Sequence, residues 1–287
     1  MNSNHHRFTI GALNCMVVTD GTYNYPNPGQ LLFANASPDE LAPVLRAHNL
    51  EPAAWDVYVS PYPSLLIEHG DQRILVDMGA GNLAPTTGKL VTNLRAAGVA
   101  PEEIDLVFIT HAHPDHIGGA LDEADRPVFP NARYLLGRAE WDFWAADPDL
   151  LNLNIPDALR QVIRACPKAI LPHLQAKMEL LEPDTEIAPG LRAIAAPGHT
   201  PGQLALSVTS NGEQLLALTD VFIHPIHIEH PEWVAPFDYD AEATVATRRQ
   251  LYEQAANSGA LVNAGHLPWP CLGHIREAGT GWRWAAL

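Results

Sequence analysis

Four potential metal ligands fall within six residues, His111-Ala112-His113-Pro114-Asp115-His116, and they constrain this chain more than any other feature. The preceding run from Ile104 to Thr110 (IDLVFIT) has the length and apolar character of a buried strand. Ile117-Gly118-Gly119, which follows, predicts a turn into a helix. In an extended segment the side chains of residues i and i+2 leave on the same side, so His111 and His113 can share one ion. Asp115 and His116 stand where the chain turns, leave on a different bearing and can reach a second ion. Chance placement in a chain with 14 histidines among 287 residues gives roughly 0.002 such matches. The pattern therefore reads as a metal-binding sequence.

Three further strand exits carry a ligand each. Leu191 to Ala196 (LRAIAA) runs into Pro197-Gly198-His199-Thr200-Pro201-Gly202, Gln214 to Leu218 runs into Thr219-Asp220, and Leu261-Val262 is followed by Ala264-Gly265-His266. Around them, Ser64 to Glu68 and Arg73 to Asp77 predict a hairpin. Leu204 to Val208 and Gln214 to Leu218 predict another around Asn211-Gly212, a dipeptide suited to a type I′ turn. Ser37-Pro38-Asp39-Glu40 is a capping-box start, and Lys89 to Ala97, Arg138 to Ala145, Pro156 to Ala165 and Ala241 to Ala256 are helical in pattern. Strands mixed with helices predict a layered α/β architecture. With no low-complexity linker to divide it, the chain is expected to form one domain over residues 1–287.

Composition narrows the partners. A net charge of -16 repels phosphate backbones and anionic headgroups, which argues against nucleic acid and membrane surfaces. Cys15, Cys166 and Cys271 are widely spaced and unpaired in pattern, so they are expected to be buried or idle thiols. The first ten residues lead into no apolar run long enough for a signal peptide or span, and a cytoplasmic protein is expected.

The order H-x-H-x-D-H, G-H-T-P-G, an Asp closing a strand and a late G-H resembles the metallo-β-lactamase superfamily, beginning from Asp77-Met78-Gly79 and ending at His266. The resemblance implies an αβ/βα four-layer sandwich with metals at one edge of two facing sheets. Carried over by position, it implies that His111, His113 and His199 hold one divalent ion and Asp115, His116 and His266 a second. Asp220 would bridge the two. Imidazole and carboxylate ligands suit zinc first and tolerate iron, manganese or cobalt. Catalysis is expected from a metal-bridging hydroxide, with Asp115 and Asp220 as the catalytic carboxylates.

Asp220 separates this chain from the true metallo-β-lactamases, which place Cys or Ser near that position. The 21 residues after His266 are too few for the helical region of glyoxalase II-type thioesterases. Phe129-Pro130-Asn131-Ala132, Glu140-Trp141 with Phe143-Trp144, and the stretch from Pro231-Glu232-Trp233 to Arg248-Arg249 resemble the branch of N-acyl homoserine lactonases and methyl-parathion-type organophosphate hydrolases. A lactone or activated ester is the expected substrate, a phosphotriester the alternative, and a non-catalytic interaction protein on the same fold the second alternative. Retention of all seven ligands argues against that last reading. Flavodiiron redox chemistry is disfavoured because its members usually carry Glu at the position of His113.

The lactonases place a Tyr three residues after the bridging Asp, where this chain has Ile223. Ile223, His224 and Trp269 are the candidate substrate-pocket residues, with His224 as a compensating carbonyl donor. His227 and His230 are candidates for the pocket or for orienting ligands. Trp141, Phe143 and Trp144 are expected in the core or a subunit contact. The segment Gln30 to Asp56 is expected to cover the site, to contact a second copy in a homodimer, or to be a solvated helix. His274 competes with His266 for the last ligand position, but only His266 directly follows a strand-like run. His266→Ala should therefore lose bound metal and activity while His274→Ala keeps both, as read by elemental analysis and turnover; the reverse pattern would overturn the assignment.

Overall fold

The computed structural model describes residues 4–287. Strands β1 (His5–Ile10), β2 (Leu13–Pro26), β3 (Val57–His69) and β4 (Gln72–Val76) pair antiparallel in chain order. Then β5 (Leu106–Ile109), β6 (Arg133–Gly137) and β7 (Met178–Leu181) join in parallel to complete a seven-stranded sheet. The second seven-stranded sheet contains β8 (Glu186–Ala188), β9 (Leu191–Ala195), β10 (Leu204–Ser210), β11 (Glu213–Ala217), β12 (Leu261–Asn263), β13 (Leu272–Ala278) and β14 (Gly281–Ala286). All its neighbours are antiparallel except β11 and β12. The helices are α1 (Pro28–Leu32), α2 (Pro38–Ala47), α3 (Leu90–Ala96), α4 (Pro114–Ile117), α5 (Arg138–Ala145), α6 (Asp157–Leu174), α7 (Ile226–Glu229) and α8 (Ala241–Ser258).

Side-chain alternation builds the layers. On β5, Leu106 and Phe108 enter the core between the two sheets, where they join Leu191, Leu206 and Ala217. Val107 and Ile109 point the other way, into a core shared with Leu90 and Leu94 of α3 and Ile163, Ile170 and Leu174 of α6. Burial on both faces is why β5 reads as an unbroken apolar run. The outer face of the second sheet is covered by Leu251, Tyr252 and Ala255 of α8. Helix, sheet, sheet and helix are thus stacked in four layers, as the family resemblance implies.

The local signals hold where their chemistry is specific. Asn211 and Gly212 turn the β10–β11 hairpin with φ of 48° and 83°, both positive as a type I′ turn requires. Ser37 and Glu40 complete both halves of the capping box on α2. The helix expected to end at Ala165 instead continues through Pro167 and Pro172 to Leu174. Burial of Ile163, Ile170, Leu171 and Leu174 against the first sheet outweighs the backbone bonds those prolines remove. β3 also starts well before the expected Ser64, at Val57, because Pro61 and Pro63 read as breakers although they lie in a strand paired with β2, with an irregularity at Thr19/Gly21.

The segment from residue 30 to 56 packs its Leu32, Phe33, Leu41 and Leu45 against Ile223, Ile226 and Trp233, so it is an integral cover rather than a solvated helix. Cys15 and Cys271 are buried, Cys166 is half-buried, and all three are free. Burial pushes the Cys15 and Cys166 thiols up to about 12, as expected of inert residues. Among the described residues no helix is long and apolar enough to cross a membrane.

One carboxylate ties the loops that leave the two sheets. Glu140, fully buried on α5, accepts hydrogen bonds from Ala112 N at 2.9 Å, Trp144 Nε1 at 2.7 Å, Thr200 Oγ1 at 2.6 Å and Gly202 N at 3.2 Å. Burial raises its pKa in spite of these bonds. Glu140→Ala should cost about 3 kcal/mol or more, because several buried donors lose their acceptor at once. Urea denaturation measures the loss, and a variant within 1 kcal/mol of the parent, about the value of one ordinary hydrogen bond, would contradict this role.

Candidate metal centre

Strand exits from both sheets bring the seven sequence-predicted ligands together. His111 and His113 follow β5, with His113 capping α4 through Pro114 at its first position, so the short helix turns Asp115 and His116 onto a different bearing. His199 follows β9, Asp220 follows β11 and His266 follows β12. Backbone geometry at these exits is unusual: Asp77, Thr219 and His266 have φ of 61°, 43° and 66°. For a β-branched residue such as Thr219 this is a strained conformation held by its surroundings. Gly265 is required for a different reason, since a Cβ there would lie 2.7 Å from Asp220 Oδ1.

Two groups of ligand atoms result, His111, His113 and His199 in one and Asp115, His116, Asp220 and His266 in the other, each with its atoms within 4.8 Å of one another. In the first, His113 Nδ1 lies 3.1 Å from His111 Nε2 and 2.9 Å from His199 Nε2. In the second, Asp220 lies 2.9 Å from His266 Nε2 and 3.3 Å from His116 Nε2. Its Oδ2 is also 3.5 Å from His199 Nε2, so this carboxylate touches both groups.

Each outward ring nitrogen that has a partner is bound to an oxygen. His111 Nδ1–H donates to Thr110 Oγ1 at 3.1 Å, His116 Nδ1–H to Asp77 Oδ2 at 2.7 Å, and His199 Nδ1–H to Asp238 Oδ1 at 2.8 Å. His266 Nδ1 is 2.9 Å from Ser60 Oγ. Fixing the proton on the outer nitrogen leaves the inner one with a free lone pair, the arrangement found around metal-bound imidazoles. His116 Nε2 and Asp220 Oδ1 are buried without a hydrogen-bond partner among the described residues. Converging lone pairs and orphaned buried atoms both fit a divalent cation.

The charges agree. Burial holds His111 and His113 well below the usual histidine pKa, keeping them neutral as ligands must be. Burial also works against charge on His116 and His266, yet Asp220, with Asp77 and Asp115 for His116 and Asp115 for His266, outweighs it and raises both. Burial likewise opposes the Asp220 anion, but His266 and His116 hold its pKa well down. The second group therefore attracts positive charge, which a metal ion satisfies more fully than a proton.

A family model described as the Metallo-beta-lactamase superfamily matches residues 57–256. The chain belongs to this superfamily. The N-acyl homoserine lactonase of Bacillus cereus is 27% identical over 179 residues, and the match spans 62% of each protein's length. The structure of AidC, described as a dizinc quorum-quenching lactonase in complex with the product N-hexanoyl-L-homoserine, superposes with a TM-score of 0.91 at 29% identity, covering 99% of this chain and 98% of that one. The hydrolase AbOPH, at 24% identity and a TM-score of 0.87 over 100% of this chain and 98% of its own, shares the fold.

In this superfamily member the candidate metal centre opens into a cavity of about 330 Å³. Asp115, Asp220 and His266 supply polar lining, while Leu31, Leu159, Val162, Ile163 and Phe237 supply apolar lining. Ile223 lines the cavity as expected. His224 and Trp269 are not among its lining residues. The His224 ring is packed against Phe33, Trp55 and Tyr58, its Nδ1 accepts the Ile226 N–H, and burial lowers its pKa to about 3. Trp269 packs against the core between the sheets, not against the site. His227 bonds to the Leu32 carbonyl and His230 stacks on Trp233, so both hold the cover in place. His274, on β13, is bonded to the Ala260 carbonyl and belongs to neither ligand group. Trp144 is in the core, with Trp141 and Phe143 packed against it.

Sequence reasoning missed the outer partners and the aromatic side of the cavity. Asp77 stands in the quoted D-x-G stretch, but nothing local marks Ser60 or Asp238 as ring partners. Tyr25, Tyr58 and Tyr62 also line the cavity, from strands β2 and β3. Asp238 is itself anchored by the buried Arg248, 3.4 Å away, and by Ala235 N. Asp238→Asn should weaken metal binding about 10-fold to 100-fold by loosening His199. Competition with a chromophoric chelator reads this directly, and unchanged affinity would remove Asp238 from that role.

Proposed function

We propose that this protein is a dinuclear metal-dependent hydrolase that opens lactones, with activated esters next in preference. The observation that carries the reading is Asp220, whose two oxygens meet both ligand groups on the lining of a largely apolar cavity. His111, His113 and His199 would hold one ion, Asp115, His116 and His266 the other, with Asp220 shared between them. Zinc is the first choice, supported by the donor set and by the dizinc lactonase of similar structure. When bound, two such ions lower the pKa of water at the centre and act as Lewis acids.

The chain's own residues supply the rest. Asp115 is the most accessible ligand, with its side chain 14% exposed and facing the cavity, so its carboxylate can accept the proton released by the attacking water and return it to the departing alkoxide. The apolar wall from α1 and α6 keeps bulk water away and receives an aliphatic tail. A lactone bearing an acyl chain suits both kinds of lining. The similar lactonase, with an N-hexanoyl-L-homoserine product, supports that choice. The charge of -16 disfavours nucleic acid as a partner and favours a small-molecule substrate.

Protein purified without chelator should contain two metal ions per chain by elemental analysis, and full activity with one ion or none would refute the dinuclear reading. With metal in excess, kcat/KM should be highest for a lactone with an acyl tail, lower for aryl ester and phosphotriester, and lowest for a β-lactam, whose nitrogen must be protonated as it leaves. A preference for the phosphotriester would favour the organophosphate alternative. A preference for the lactam would overturn the proposal, and the absence of turnover on every substrate would favour a binding protein.

A further inference from the structure

The site lacks a hydroxyl at Ile223, and His224 is walled off from the cavity, yet a carbonyl under attack needs a donor for the charge that develops on its oxygen. The tyrosines of β2 and β3 supply candidates. Register places Tyr25 opposite Tyr58, and Tyr62 opposite Gly21, on one face of paired strands. Tyr62 sits edge-on to the His266 ring at 5.2 Å and Tyr25 at 6.5 Å between ring centres, so both phenols stand over the metal-ligand cluster. The hydroxyl of Tyr58 is committed to the His266 carbonyl. Tyr25 Oη and Tyr62 Oη are 2.7 Å apart.

Two hydroxyls bonded only to each other contain two hydrogens and share one, so one O–H remains without an acceptor among the described residues. Both hydroxyls border the cavity, but Tyr62 is 3% exposed and Tyr25 half-buried, so Tyr25 is the one a ligand reaches more freely, and the free hydrogen is assigned to it. An O–H whose oxygen already accepts a hydrogen bond is polarised and becomes a stronger donor. Burial and the Asp115 and Asp220 carboxylates keep both phenols protonated at neutral pH.

We propose that the hydroxyl of Tyr25, backed by Tyr62, is the catalytic donor that binds the carbonyl oxygen of the ester or lactone under attack. This rests on the hydrolase reading and replaces the expected donor at position 224. As the oxygen of water bonds to the carbonyl carbon and gives a proton to Asp115, the carbonyl π pair moves onto oxygen, which accepts the Tyr25 hydrogen bond. Tyr25 keeps its proton. The pair then returns, the bond from carbon to the leaving oxygen breaks, and that oxygen takes the proton held by Asp115. Water and ester are consumed, and acid and alcohol are formed. Because the donor sits on a strand pair rather than a loop, its position relative to His266 is fixed before substrate arrives.

Tyr25→Phe removes a single oxygen. It should lower kcat on the preferred lactone or ester by about 10-fold to 100-fold, with metal content and melting temperature unchanged. Tyr62→Phe should give a smaller loss, since it removes only the polarising bond. A second measurement is free of turnover: calorimetric binding of methyl phenylphosphonate, whose anionic oxygens mimic the developing oxyanion, to metal-loaded protein should weaken about 10-fold in Tyr25→Phe. If the parent protein hydrolyses nothing, the hydrolase reading fails while the phosphonate still tests Tyr25. Unchanged kcat together with unchanged phosphonate affinity in Tyr25→Phe overturns the proposal. Should that variant lose its metal or its fold, Tyr62→Phe decides, and parental kcat and phosphonate affinity there would overturn it.

Discussion

Asp77 receives three hydrogen bonds in a place that water does not reach, from the backbone N–H and the hydroxyl of Thr110 at 2.8 Å each and from His116 Nδ1–H at 2.7 Å. A buried carboxylate is tolerable only when its acceptor sites are filled, so the end of β4 locks to the end of β5 and to α4 together. Thr110 passes the constraint on by accepting the His111 Nδ1–H, which places one ring of the first ligand group. His116, in the second group, is placed by the same anion. The spacing between the two groups is therefore inherited from strand pairing in the first sheet, and Glu140 extends it to the loop that carries His199 from the second.

Much of this was legible in the sequence because the signals were local. Two positive-φ positions made Asn211-Gly212 a turn, and the six-residue ligand run placed His111 and His113 on an extended segment with Asp115 and His116 beyond the bend. What escaped was what depends on distant pairing. Asp238 meets His199 across 39 residues, and Ser60 meets His266 across 206. No window of sequence carries either relation. Tyr25 and Tyr62 were hidden for a related reason: the strands that present them contain Pro26, Pro61 and Pro63, which locally read as interruptions. Trp269 and His224 were placed near the site from their closeness in sequence to His266 and Asp220. Each turns away, because a chain leaving a strand end by a sharp turn puts neighbouring side chains on different sides of a sheet.

The N-terminal segment shows how the cover and the centre are divided. Leu32 and Phe33 seal against Ile223, Ile226 and Trp233, and Leu31 reaches the cavity, yet no residue from this segment belongs to either ligand group. The same holds for α6, whose Leu159, Val162 and Ile163 form part of the wall while its remaining apolar face secures it to the first sheet.

That division has a consequence for how such a protein changes over time. Substitutions at Leu31, Leu159 or Val162 alter the apolar lining without touching an imidazole, a carboxylate or any partner that orients one. The shape of an acceptable substrate can drift by small and individually tolerable steps, while the floor of the site stays under the full constraint of Asp77, Glu140 and Asp238. Selection can thus explore new ligands along the wall at little risk to the candidate metal centre.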